Sequence, residues 1–133
     1  MPSWTGSSDT GDSNFSNMFT SSDRTGWGFS TTPSTLIIDM KEAKNLTAFK
    51  IMPLYGNYGY PFNYIKVSVS TDGNTYTDCG TSTSSETAIE SGYQYIVFYG
   101  ALPCRYLKLS VDWSAGSWGS SYDKIVHFGA YVK

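Results

Sequence analysis

The sequence predicts an all-β fold, a sandwich of short antiparallel strands, and three observations carry that prediction. Apolar residues scarcely recur at the three-and-four spacing of an amphipathic helix anywhere in the chain. Several runs instead alternate in polarity or are rich in β-branched and aromatic residues, Tyr64–Ser70 being the clearest. Turn chemistry separates the runs: Thr71-Asp72-Gly73-Asn74 reads as a tight hairpin turn, because Gly and Asn tolerate positive φ.

Taken in order, the predicted strands are Thr35–Asp39, Asn45–Pro53, Tyr64–Ser70, Tyr93–Phe98, Tyr106–Trp113 and Lys124–Val132, with a weaker one around Thr75–Cys79. Seven or eight short strands of this kind suit a sandwich. The first 34 residues differ, being dominated by Ser, Thr, Gly, Asp and Asn, with Trp4, Phe15, Phe19, Trp27 and Phe29 set among them. A segment so polar forms no core alone, whereas a disordered tail would lack the aromatics, so it is expected to be a long irregular cover anchored on the sandwich. Thr81–Thr87 reads as an exposed polar loop.

At 133 residues the chain suits one domain. Charged residues make up only 15% and the net charge is −2, which offers no positive field for a phosphate backbone, so nucleic acid is excluded as a partner. No stretch approaches the roughly 20 apolar residues that cross a bilayer, and membrane insertion is not expected. Met1-Pro2-Ser3-Trp4 lacks the basic-then-apolar order of a secretion signal and looks like the start of a domain cut from a longer chain. Cys79 and Cys104 lack zinc-site spacing and are either a disulfide or two free buried thiols. The aromatic share of 17% comes chiefly from 11 Tyr, a residue whose flat face and polar tip suit strands and wet binding surfaces.

Six blocks carry a family resemblance: Asn17-Met18-Phe19, Thr25-Gly26-Trp27, Leu36–Met40, Leu46–Ile51, Tyr64–Tyr76 and Cys104–Leu109 with its Arg105-Tyr106 pair. In this order and spacing they resemble discoidin domains, the C-type domains of coagulation factors five and eight. The resemblance implies the galactose-binding-like jelly roll, two facing antiparallel sheets. Members of that family bind sugars, phospholipid head groups, collagen or other proteins through loops at one end, and fold alone does not choose among these. Low charge without a Lys/Arg cluster argues against anionic lipid, while the loop aromatics favour the branch similar to family thirty-two carbohydrate-binding modules. That branch implies a carbohydrate partner, a monomeric module, and a place in a secreted or cell-surface bacterial protein that processes or captures glycans. Its location would then be extracellular, periplasmic or cell surface. Protein–protein adhesion, or a structural spacer, is the alternative reading, since aromatic loops also suit a hot spot on a protein.

Many relatives hold a structural calcium ahead of a Thr-x-Trp motif, which Thr25 and Trp27 match. Here Thr20-Ser21 stand where an Asp-Gly is expected, leaving Asp23 as a shifted substitute, and His127-Phe128-Gly129-Ala130 stand where a last-strand Glu is expected. Calcium requires six to eight hard oxygens, so the only metal set is Asp23 with Thr25, and no other cofactor is expected.

A sugar site needs an aromatic face and a few fixed donors and acceptors. Tyr55–Asn63 lies between two strands and offers Tyr55, Asn57, Tyr58, Tyr60 and Asn63, but no Arg of the kind sugar-binding relatives use there. Trp113–Asp123 offers Trp118 and Tyr122 ahead of the last strand, and Arg24 could reach the same rim. Trp113 and Trp27 read as packing residues.

The sequence does not point to an enzyme. His127, the only histidine, lies in a strand where a structural side chain is the plainer role. No serine sits in a nucleophile elbow and no cysteine has a nearby base. Asp9 with Asp12, and Glu86 with Glu90, are close in sequence but read as solvated charge rather than a glycosidase pair facing across a cleft.

Overall fold

The computed structural model describes residues 4–8, 10–20, 22, 25–30, 33–83, 88–113 and 122–133. They form eight strands: β1 (Thr5–Ser8), β2 (Trp27–Gly28), β3 (Ser34–Pro53), β4 (Phe62–Ser70), β5 (Thr77–Thr83), β6 (Ala88–Glu90), β7 (Tyr93–Trp113) and β8 (Lys124–Val132). Short 3-10 turns occupy Phe15–Phe19 and Gly56–Tyr58. All pairings are antiparallel.

Two strands are far longer than the sequence suggests, because β3 and β7 each pass from one layer of the sandwich to the other. The first half of β3 pairs with β1 and with the second half of β7, which in turn pairs with β4 and, through it, β5. The second half of β3 pairs with β8 and with the first half of β7, whose other neighbour is β6, while β2 extends β8. The corner falls at a register break between Asp39 and Lys44, where Lys41 takes φ 71° and Arg105 stands opposite; a second break, between Leu46 and Ala48, faces Gly100 at φ 83°. A non-glycine residue at positive φ is strained, and it is here that the strand changes layer. The sequence predicts separate strands on each side of this corner, Thr35–Asp39 and Asn45–Pro53 in β3, and Tyr93–Phe98 and Tyr106–Trp113 in β7.

Alternation fixes the register of the first layer. Leu36, Leu109 and Val67 lie side by side across three strands, as do Ile38, Leu107 and Val69, and all are buried. A slip of one residue would turn each of these out to solvent. The facing layer contributes Phe49, Ile51, Ile96 and Phe128, with the Phe49 and Phe128 rings stacked at 5.6 Å. Buried Gln94 ties the two layers, its Oε1 accepting the Phe62 N–H at 2.7 Å.

The N-terminal segment anchors as expected but is not wholly irregular. Thr5–Ser8 adds a strand beside β3, and Trp27–Gly28 adds one beside β8. A chain of rings then runs inward: Phe19 to Phe15 at 5.4 Å, Phe15 to Trp27 at 5.1 Å, Trp27 to Phe29 at 4.7 Å, Phe29 to Trp113 at 5.2 Å and Trp113 to Phe62 at 5.5 Å. Trp27 is 1% exposed, and its Nε1 donates to the Asp12 carbonyl at 3.0 Å. Asp9 lies outside the described residues; the Asp12 carboxylate accepts the backbone N–H groups of Asn14 and Gly28.

The β4–β5 hairpin has the predicted Gly73 at positive φ. Asp72 Oδ1 caps the turn, accepting from Asn74 N at 2.8 Å and Thr75 N at 3.0 Å, and these bonds hold its carboxyl below the usual range. Strand β5 runs on through Thr83, so Thr81–Thr83 are paired residues and not the loop expected of Thr81–Thr87; positions 84–87 lie outside the described residues. Cys79 and Cys104 are free thiols, Cys104 fully buried and Cys79 partly so. Burial, with Cys79 nearby, pushes the Cys104 thiol up to about 11.

Candidate functional site: a tyrosine loop at one end of the sandwich

The ends of β3, β7 and β6 and the starts of β4, β7 and β8 converge at one end, where the segment Leu54–Pro61 leaves the sheet. Its path is set by backbone. The Leu54 N–H donates to the Lys124 carbonyl at 2.9 Å, Tyr55 turns the chain at φ 64°, and Gly59 closes the 3-10 turn at φ 94°. The Tyr55 carbonyl accepts from both Tyr58 N and Tyr60 N, at 3.0 and 3.3 Å. Gly56 is required by contact: a Cβ there would stand 2.8 Å from Pro53 Cδ and 3.0 Å from the Gly92 carbonyl oxygen.

The side chains divide by role. Tyr55 is half-buried, its ring 6.0 Å from Tyr58 and 5.8 Å from Tyr122. Tyr55, Tyr122 and Tyr93 pack against a small cluster of Met52, Leu54 and Val126. Tyr58 stands out from this base at 63% exposure, and Tyr60 at 39%. The arrangement presents exposed aromatic faces on a floor braced from behind, as a ligand with apolar patches requires.

The structure corrects one residue of the predicted loop. Asn63 lies within β4, not in the loop, and its Nδ2 donates to Asp112 Oδ2 at 2.9 Å across the sheet. Asn57 lies on the 3-10 turn. Trp118, Arg24 and Asp23 fall outside the described residues. Trp113 is buried, as expected, with Nε1 donating to the Lys124 carbonyl at 2.8 Å.

Two neighbouring groups escaped the sequence reading. Tyr93 opens β7 and shares the hydrophobic base with Tyr55, a proximity visible only once β7 and β8 are placed beside β3. Asp123 is 1% exposed, and its Oδ1 has no hydrogen-bond partner among the described residues. Burial, with Asp112 nearby, pushes its carboxyl up to about 6.

Of the predicted calcium pair only Thr25 is described, Asp23 lying outside the described residues. Thr25 is exposed and, among the described residues, no group of three or more His, Cys, Asp and Glu could hold a metal. In the last strand Phe128 is buried on Phe49 and Gly129 lies beneath the Lys50 stem, so this stretch offers no carboxylate. His127 is buried, its ring 5.8 Å from Tyr93, a packed position in keeping with a structural role.

The F5/8 type C domain profile matches residues 3–123, and the chain belongs to that family. None of the curated proteins matches the chain. Among solved structures it is similar to a family 32 carbohydrate-binding module (CBM32) of Clostridium perfringens, at a TM-score of 0.72 and 15% identity over 100% of this chain and 96% of that one. It is similar also to the family 32 module of C. perfringens NanJ in complex with galactose, at 0.70 and 13%, covering 96% and 92%. A third is the family 32 module of AlyQ in complex with 4,5-unsaturated mannuronic acid, at 0.72 and 15%, covering 96% and 93%. These likenesses establish the fold as that of the CBM32 and discoidin sandwiches. Among the described residues no helix is long and apolar enough to cross a membrane.

Proposed function

We propose that this domain is a non-catalytic carbohydrate-binding module that takes a sugar on the exposed faces of Tyr58 and Tyr60. The observation that carries the reading is the loop itself: a glycine-set turn holds two exposed tyrosines over a base of Tyr55 and Tyr122. A flat ring matches the apolar face of a pyranose, and rigid support lowers the ordering cost of a weak contact. The sugars held by the NanJ and AlyQ modules on the same fold support a glycan as the ligand class. Trp118, Asn57 and Arg24 belong to the proposed rim. The module acts as a monomer within a larger exported bacterial protein that processes or captures glycans, where repeated copies would supply avidity.

A glycan array probed with the multivalent domain, with and without calcium, tests the reading. Binding to a defined terminal sugar, lost in Tyr58→Ala, is the expected result. A blank array from demonstrably folded domain overturns it in favour of a protein partner or a spacer.

A further inference from the structure

Apart from the tyrosine loop, a cleft of about 590 Å³ opens between the 3-10 turn Phe15–Phe19 and strand β8. That volume falls within the range of small-molecule sites. Its walls are of two kinds. Phe15, Phe19 and Phe128 supply an apolar side, while Lys50, Tyr93 and His127 line the other. No residue of the 54–61 loop takes part.

The charge in the cleft has one sign. The Lys50 stem crosses Gly129, where a Cβ would stand 3.2 Å from Lys50 Cε, so glycine leaves room for the stem to lie against the sheet. Its Nζ sits 4.5 Å from the centroid of the Tyr93 ring, and no described carboxylate pairs with it or lines the cleft. An ammonium held on an aromatic face beside apolar walls is a partly desolvated cation, and an anion is its natural complement. Thr20 and His127 line this same cleft.

We infer that this cleft is a second ligand site, specific for a small aromatic carboxylate whose ring lies against Phe15 and Phe19 and whose carboxylate meets Lys50 Nζ. The inference does not rest on the glycan reading: Tyr93 braces the tyrosine loop and also lines the cleft, but the exposed Tyr58 and Tyr60 have no part in it.

The test is a titration of the isotopically labelled domain with phenylacetate, followed through the backbone amide resonances, with 2-phenylethanol as the neutral counterpart. Phenylacetate is expected to shift the amides of Phe19, Lys50, Tyr93 and His127 while leaving those of Tyr58 and Tyr60 in place. A charge-assisted contact of this kind corresponds to about tenfold or more in affinity. Binding should therefore weaken by about that factor for 2-phenylethanol and for Lys50→Met, which keeps the stem over Gly129, and persist in Lys50→Arg. Equal affinity for acid and alcohol, an unaffected Lys50→Met, or no shift of the cleft amides in a well-dispersed spectrum would each overturn the proposal.

Discussion

Arg105 grips both carboxylate oxygens of Asp39, Nε to Oδ1 at 2.9 Å and Nη2 to Oδ2 at 3.1 Å, at the corner where β3 and β7 change layers. Lys41 adds a second cation at 3.4 Å, and its N–H donates to Asp39 Oδ1 at 2.8 Å. The Arg105 hydrogen bonds are the chief cause that lowers the Asp39 carboxyl to about 2. A depressed carboxyl contributes stability that is present above its ordinary value near 3.8 and is lost as the pH falls toward 2. The pair is partly solvated, so Arg105→Ala is expected to lower stability only slightly at neutral pH. The difference between variant and parent should shrink in acid, as urea denaturation at the two pH values would show.

Asp123 behaves in the opposite sense. Its folded value of about 6 lies above the ordinary 3.8, so its favourable contribution is complete below the ordinary value and disappears as pH rises through 6. Asp123→Asn keeps the shape and removes a buried charge. It should raise the unfolding free energy at slightly alkaline pH, by an amount on the order of 2 kcal/mol and with a higher melting temperature, and change both little in acid. A melting temperature that drops at every pH would mean that the ionised carboxylate is held by a partner.

Tyr58 and Trp27 separate binding from packing. Tyr58→Ala removes a ring that is mostly in water and should leave the melting temperature nearly unchanged while weakening glycan binding, and Trp118→Ala is expected to do the same. Trp27→Ala removes a buried ring from the middle of the aromatic chain and should cost about 3–5 kcal/mol. Calorimetry alongside a binding isotherm distinguishes the two classes.

Because the described oxygens do not assemble a calcium site, EDTA is expected to leave the melting temperature where it was. A drop of several degrees, restored by added calcium, would show that Asp23 recruits enough ligands to bind the ion.

How legible the fold was in the sequence depended on whether one face of each segment was buried. Tyr64–Ser70 and Tyr106–Trp113 face the core with every second residue, and their alternation identified them. Thr5–Ser8 has no apolar face, only Thr, Gly and Ser, and becomes a strand solely because β3 offers it backbone partners. The corner of β3 is hidden by Lys41, Glu42 and Lys44, which interrupt the apolar pattern although the chain stays paired on either side. At the end that carries the tyrosine loop, the exposure of Tyr58 and Tyr60 was legible because an aromatic loop between two strands must project. The engagement of Asn63 by Asp112 could not be read, since the two lie 49 positions apart and meet only through strand register.

Since β3 and β7 are each one continuous ribbon running through both layers, neither layer can be peeled away while the other survives. Melting one strips the hydrogen-bonded neighbours from the other, which favours a single cooperative transition with the slowest-exchanging amides shared between both sheets. A molecule that docks on the tyrosine loop, itself strung between β3 and β4, therefore restrains the whole body and not just the tip. Occupancy at that end should register as heat resistance at the corner of β3 as well.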